Sequence, residues 1–183
     1  IYRWIKEEKI PAHRIHNQFR FKKSEMREWI LTNGIKVSDK ILNLEPSRQP
    51  ISLEKLLAKG GIYYDIEGNT PAQAIKNAIG VIPLPPELDR DNVIFMLLER
   101  EEMMSTAIGK GLALPHPRNP VIADLENESV SLCFLKNKID FKAIDGEMIE
   151  ALFIVLSAKP ERHLEILSKI AFVCRQDLFM RLL

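Results

Sequence analysis

The spacing of apolar residues changes several times along the chain, and each change marks an element. IYRWIKEEK at the start reads as helix. Beyond Pro11, AHRI and FRF alternate around HNQ, the pattern of a compact two-stranded hairpin. EMREWILTN returns to helical spacing, with Met26, Trp29 and Ile30 on one face, Ser24 placed to cap it and Asn33-Gly34 to stop it. Residues 35–50 keep no period and end in Pro, Ser and Arg, so they are expected to be a linker.

A second regime begins at Ser52. LEKLLAKGG is helical and IYYDI is a strand. Thr70, Pro71 and Gln73 form a capping box with proline at the first helical position, which starts a helix over PAQAIKNAI. PLPPEL is a loop, and Asp89 caps a helix through NVIFMLLEREEM. GLAL, VSLCFL and EALFIVLSA are strands, AIDG is a turn, and Pro160 opens a long final helix over ERHLEILSKIAFVC. Helices and strands interleave, so the fold class is α/β, a mixed β-sheet flanked by helices. Both chain ends read as lying inside helices, and both are expected to be trimmed.

Composition supports two units. The chain has 183 residues, enough for one core plus an appendage. Residues 1–50 carry 11 Lys/Arg against 6 Asp/Glu, leaving 15 against 19 for the rest of the 26 basic and 25 acidic residues. A basic N-terminal module suits an anionic partner, and both tryptophans, Trp4 and Trp29, lie within it. The expected boundaries are 1–34, a linker at 35–50, and 51–183. The longest apolar run, ALFIVL, is far short of the roughly 20 residues that span a bilayer, and the first residues lack the apolar core of a signal peptide. Cys133 and Cys174 sit far apart in apolar segments, as buried reduced thiols do. A cytoplasmic protein without membrane insertion is expected. The cysteines and the four histidines show no metal-ligand spacing, His13 and His16 being a weak pair alone; neither a metal nor a cofactor is expected.

LALPHPRNP holds the first candidate for chemistry. Pro115 fixes its own φ and lacks an N–H, while Pro117 pushes His116 toward extended backbone, so the strand should stop there. A histidine held that stiffly can be presented at an edge or cleft, although a plain turn has the same look. Upstream, STAIGKGLALPHPR fails as a dinucleotide fingerprint because Leu114 stands where glycine or alanine is required. It fails as a phosphate loop because Met104 and Gly111 occupy the wrong places. Gly109 and Gly111 remain as turn positions, with Ser105 and Thr106 as hydroxyls nearby. Arg100 shares a helical stripe with Val93, Met96 and Leu97, where an arginine needs an anion to justify desolvation. Snorkelling, or pairing with Glu101 or Glu102, is the structural alternative. His163 lies one turn into the last helix, on a stripe with Leu167, Ile170 and Cys174. There the helix dipole disfavours imidazolium and favours an anion nearby, and a core histidine is the alternative.

LLEREEMMSTAIGKGLALPHPR and HLEILSKIAFV closely resemble the enzyme IIA domain of the fructose/mannitol class of the bacterial phosphotransferase system, the nitrogen-related regulatory members most of all. The resemblance covers about 51–183. It implies that His116 accepts a phosphoryl group from a histidine phosphocarrier protein, that Arg100 stabilises the phosphoryl charge, and that His163 is the second active-site histidine. A regulatory target protein is a further implied partner. Such transfer needs in-line positioning and charge stabilisation, for which Arg100 and the hydroxyls of Ser105 and Thr106 are suited. Where the family has glycine or another small residue after the acceptor, this chain has Pro117, which cannot donate a backbone N–H.

The N-terminal YRWIKEEKIPAHRIHNQFRFKKSEMREWI resembles the helix–wing–helix end of an excisionase-type (MerR-like) DNA-binding domain, hence a partial winged helix-turn-helix. That resemblance puts Tyr2, Arg3 and Lys6 on the recognition helix and Arg14, His16, Asn17 and Arg20 on the wing, with DNA as partner. A small basic interaction hairpin is the bland alternative. For the whole chain, a sugar-specific component feeding a fructose/mannitol-class permease, or a transcription regulator with a non-transferring docking domain, are the rival functions.

Overall fold

The computed structural model of the chain describes residues 2–7, 9–15, 18–33, 35, 37, 50–181 and 183. The N-terminal part contains helix α1 (Tyr2–Lys6), strands β1 (His13–Ile15) and β2 (Gln18–Arg20), and helix α2 (Lys23–Thr32). The hairpin pairs antiparallel, with Arg14 opposite Phe19. Ser24 does not cap α2: the helix starts two residues earlier, at Lys23, with extended Lys22 at the N-cap and no side-chain cap bond. The face expected of Met26, Trp29 and Ile30 is rotated as well. Glu28, Trp29 and Leu31 are the buried residues of α2, because a second layer of protein packs against that side. Asn33 ends the helix as expected, its side chain donating to the Trp29 carbonyl at 2.9 Å. The linker expected at 35–50 falls almost wholly outside the described residues.

The larger part runs α3 (Leu53–Gly60), β3 (Ile62–Ile66), α4 (Pro71–Val81), α5 (Arg90–Met103), β4 (Ala107–Gly109), β5 (Leu112–Ala113), a 3-10 turn at Leu125–Asn127, β6 (Ser129–Ile139), β7 (Ile149–Leu156), α6 (Pro160–Val173) and α7 (Asp177–Met180). The strands form one mixed sheet in the order β3-β6-β7-β5-β4. β3 runs parallel to β6 and β5 parallel to β7, while the β6–β7 and β4–β5 pairs are antiparallel. Two predicted caps hold: Thr70 Oγ1 accepts from Gln73 N at 3.2 Å and Asp89 Oδ1 from Asn92 N at 2.7 Å. The reciprocal arm of the box reaches one residue further back, Gln73 Oε1 accepting from Asn69 N at 2.9 Å.

β7 divides the core by its period of two. Leu152, Ile154 and Leu156 join one buried cluster with α4 and α5, whereas Ala151, Phe153 and Val155 join a second with α3 and α6. α3 can lie that close to β6 only because of Gly60, where a Cβ would stand 2.1 Å from the Val130 carbonyl oxygen. β4 was not foreseen, being three residues long. It turns into β5 through Lys110 and Gly111, both with positive φ (54° and 75°), as a tight hairpin turn requires.

Candidate functional site

β5 carries the chain directly to His116. Leu114 N donates to the Thr106 carbonyl at 3.0 Å, and Val155 N donates to the Pro115 carbonyl at 3.1 Å, so the backbone stays clamped after the strand ends. His116 Nδ1 lies 2.6 Å from the Leu114 carbonyl oxygen. A carbonyl can only accept, so the ring proton sits on Nδ1 and a neutral ring keeps its lone pair on Nε2.

α6 supplies the second imidazole. His163 and His116 have ring centroids 4.9 Å apart, tilted by 59°. His163 Nδ1 is hydrogen-bonded to Ser157 Oγ at 2.8 Å. The two Nε2 atoms are buried without a hydrogen-bond partner of good geometry. Burial pushes His163 down to about 3, the charges of His116 and Arg100 push the same way, and Glu28 opposes them. Its neighbour Arg162 is held by Glu128, which accepts from Nε at 2.7 Å and pairs with Nη2 at 2.6 Å, while Glu128 Oε1 accepts from Ala158 N at 3.0 Å. This buried pair fixes the turn that aims His163.

Folding thus keeps His163 neutral, and the sign of its pH effect follows. Its folded value lies below the ordinary 6.5, so its contribution to stability is complete above about pH 6.5 and is lost as pH falls from there toward about 3. Urea unfolding at pH 7.5 and pH 5 should therefore show wild type losing about 1–2 kcal/mol more than His163→Gln, which has nothing to protonate.

Arg100 does find an anion, but neither Glu101 nor Glu102. Its Nε donates to Glu28 Oε1 at 3.1 Å, its Nη2 donates to the same oxygen, and its Nη1 donates to the Met104 carbonyl at 2.7 Å. Glu101 is occupied elsewhere, accepting from Thr106 Oγ1 at 2.5 Å and Thr106 N at 3.2 Å. Glu28 Oε1 also stands 3.0 Å from His116 Nε2, an ion-pair distance once that ring is protonated. Burial alone would raise the Glu28 carboxyl, but His116 and Arg100 together hold it well below the usual carboxylate range.

α2 therefore roofs the site. His116 is 1% exposed, not open at a cleft edge as its flanking prolines suggested, because Glu28 covers it. Three residues away on the same helix, Glu25 bonds Arg118 Nη2 at 2.8 Å and His13 Nε2 at 2.5 Å. A cavity of about 590 Å³ beside this roof is lined by Glu28, Trp29, Arg100, Ser105, Thr106 and His116. Ser105 and Thr106 thus reach the same cavity, although Ser105 Oγ accepts from Ala107 N at 3.1 Å and the Thr106 hydroxyl is turned to Glu101. Glu28 escaped the sequence reading. Its one signal was Arg100, whose buried stripe demanded an anion that the distant α2 provides.

Among the described residues, Glu28, His116 and His163 bring ligand atoms within 4.8 Å of one another, spacing that could hold a metal ion. Arg100 bonds the carboxylate of that group, so a cation there would face a guanidinium; an anion suits the site better. The remaining candidates belong to the N-terminal part. Arg3, Arg14 and Arg20 are exposed, Arg3 near Glu7 at 3.7 Å and Arg20 donating to Gln18 at 2.8 Å. Tyr2 and Lys6 are on α1 with side chains outside the description, and His16 and Asn17 lie outside the described residues. Cys133 and Cys174 are buried and free, with thiols pushed up to about 12 by burial. No described helix is long and apolar enough to cross a membrane.

Known proteins resemble this chain in sequence and in fold. The chain is 30% identical over 124 residues to a nitrogen regulatory protein of Pseudomonas aeruginosa, covering 66% of this chain and 79% of that one. It is 31% identical over 121 residues to a mannitol-specific phosphotransferase enzyme IIA component of Geobacillus stearothermophilus, covering 66% and 81%. The crystal structure of the nitrogen regulatory protein IIA-Ntr from Neisseria meningitidis superposes with a TM-score of 0.54 at 26% identity, covering 64% of this chain and 80% of that one. Residues 1–34 match a helix-turn-helix domain model. Residues 55–183 match the model of the phosphoenolpyruvate-dependent sugar phosphotransferase system, EIIA 2, and the chain belongs to that family.

Proposed function

We propose that the chain is a regulatory phosphocarrier whose EIIA unit, residues 51–183, takes a phosphoryl group on His116 from a histidine phosphocarrier protein, and whose N-terminal unit, residues 1–34, binds DNA. In this step the N–P bond of the donor phosphohistidine breaks and its electron pair returns to the donor ring. The lone pair of His116 Nε2 forms the new N–P bond, and any proton on Nε2 leaves to water first. Arg100 receives the phosphoryl oxygens through charge-assisted hydrogen bonds. His163, held neutral, faces the same space.

The observation that carries this reading is convergence on one point. His116 Nε2 and Arg100 Nε lie 3.0 Å and 3.1 Å from a single carboxylate oxygen, with His163 alongside. A carboxylate held that way supports the reading that a phosphoryl oxygen is held at the same point. DNA binding is supported by the helix-turn-helix match and by the exposed Arg14 opposite Phe19 on the hairpin.

Incubation with the labelled phosphocarrier protein tests the proposal. Wild type should take up acid-labile label, His116→Ala none, and the labelled and unlabelled full chains should differ in DNA affinity. Absence of label on wild type favours a docking domain that transfers nothing, and label surviving in His116→Ala removes the assigned nucleophile. The similarity to the mannitol-specific component keeps a transport reading in view; onward transfer of label to a mannitol-class permease would establish it.

A further inference from the structure

We propose that Glu28 is a built-in occupant of the phosphoryl place: α2 docks on the unphosphorylated site through this carboxylate, and a phosphoryl group on His116 displaces it and frees the N-terminal unit. This rests on His116 being the acceptor.

Space is the first reason. Reacting atoms must approach to about 3–3.5 Å for transfer, and Glu28 Oε1 already stands at 3.0 Å from His116 Nε2. An incoming phosphorus cannot share that position. Charge is the second. The carboxylate holds the guanidinium of Arg100, the same group a phosphoryl oxygen would take. A phosphorylated side chain carries about −1.5 to −2 charge at pH 7, more than one carboxylate, so it wins Arg100 and repels Glu28 at close range. Access is the third. With His116 1% exposed under α2, the donor protein reaches the ring only when the helix has left.

The docked state has further ties. Glu25 bonds Arg118, which directly follows Pro117, and α2 packs against α6, which carries His163. Within the N-terminal unit, Trp29 Nε1 donates to the Lys9 carbonyl at 2.8 Å and its ring meets Trp4 edge-on at 5.7 Å. A departing α2 therefore takes the hairpin and α1 with it. Arg3, Arg14 and Arg20 are exposed in the docked state, so docking restrains the unit without covering these side chains. The three ligand atoms of Glu28, His116 and His163 do not favour a metal-locked version, because Arg100 already neutralises the carboxylate.

The full-length chain, Glu28→Gln and Glu28→Ala provide the test, read in two ways. Hydrogen exchange of α2 is measured first, without any phosphoryl donor. Both variants should lose α2 protection about tenfold or more relative to wild type; equal protection in all three overturns the proposal regardless of any transfer. The initial rate of labelling by the phosphocarrier protein is measured second. Both variants should label about tenfold or more faster than wild type, and labelled wild type should show the α2 exchange and Trp emission of the unlabelled variants. Equal rates, or labelled wild type with α2 still protected, overturn the displacement while leaving His116 as acceptor. No labelling in any of the three overturns the acceptor assignment and the displacement with it.

Discussion

Arg100→Ala slows phosphoryl transfer to His116 by about 10³-fold or more, the scale of an arginine that meets phosphoryl charge. Two effects oppose each other in this variant. Removing Arg100 also loosens Glu28, which should speed access to His116. Hydrogen bonds to charged groups contribute about 1.5–3 kcal/mol, or about 10- to 100-fold. The lost stabilisation of the transferring group is larger, so the net result is slower labelling. Arg100→Lys should recover only part of the rate, because an ammonium offers a point charge in place of the planar fork. Stopped-time labelling with a thermal melt on each variant checks both points. An unchanged rate in a folded Arg100→Ala protein would reduce Arg100 to the partner of Glu28.

Glu128→Ala destabilises the fold by about 3–5 kcal/mol, as removal of one member of a buried ion pair does. For a chain of this length that lowers Tm by roughly 6–20 °C. Glu128 accepts from Arg162 and from Ala158 N, so its loss removes a carboxylate from a buried guanidinium and the acceptor from a backbone donor at once. Glu128→Leu combined with Arg162→Met should recover most of the loss, since an apolar pair has no charge to leave unpaired. The unsatisfied Ala158 N–H keeps the recovery incomplete. Should the double variant melt no higher than Glu128→Ala, the pair is not what holds the turn before His163.

The parts of the fold that read well from sequence are those whose cause is local. Thr70-Pro71 and Asp89 start helices with their own side chains, and the alternation in β7 records two faces of buried sheet. Pro115 and Pro117 marked the end of β5 at Ala113, and the glycines at 109 and 111 marked the turn before it. What did not read well was set by distant partners. α2 begins at Lys23 and rotates Glu28 and Leu31 inward because the IIA unit covers that side, a fact absent from residues 23–33. Within the site, the stripe Val93, Leu97, Arg100 exposed the need for an anion, but its supplier lay 72 positions away. Glu128 and Arg162, 34 positions apart, were invisible for the same reason.

Because Glu28 and His116 belong to one chain, the proposed displacement would set the donor protein against a tethered rival. A partner on the same chain acts at an effective concentration on the order of mM. Diluting the protein does not weaken that rival, whereas diluting the donor weakens its challenge. The charged-donor concentration that half-saturates labelling should then be raised by a constant factor set by the chain itself, however dilute the protein is.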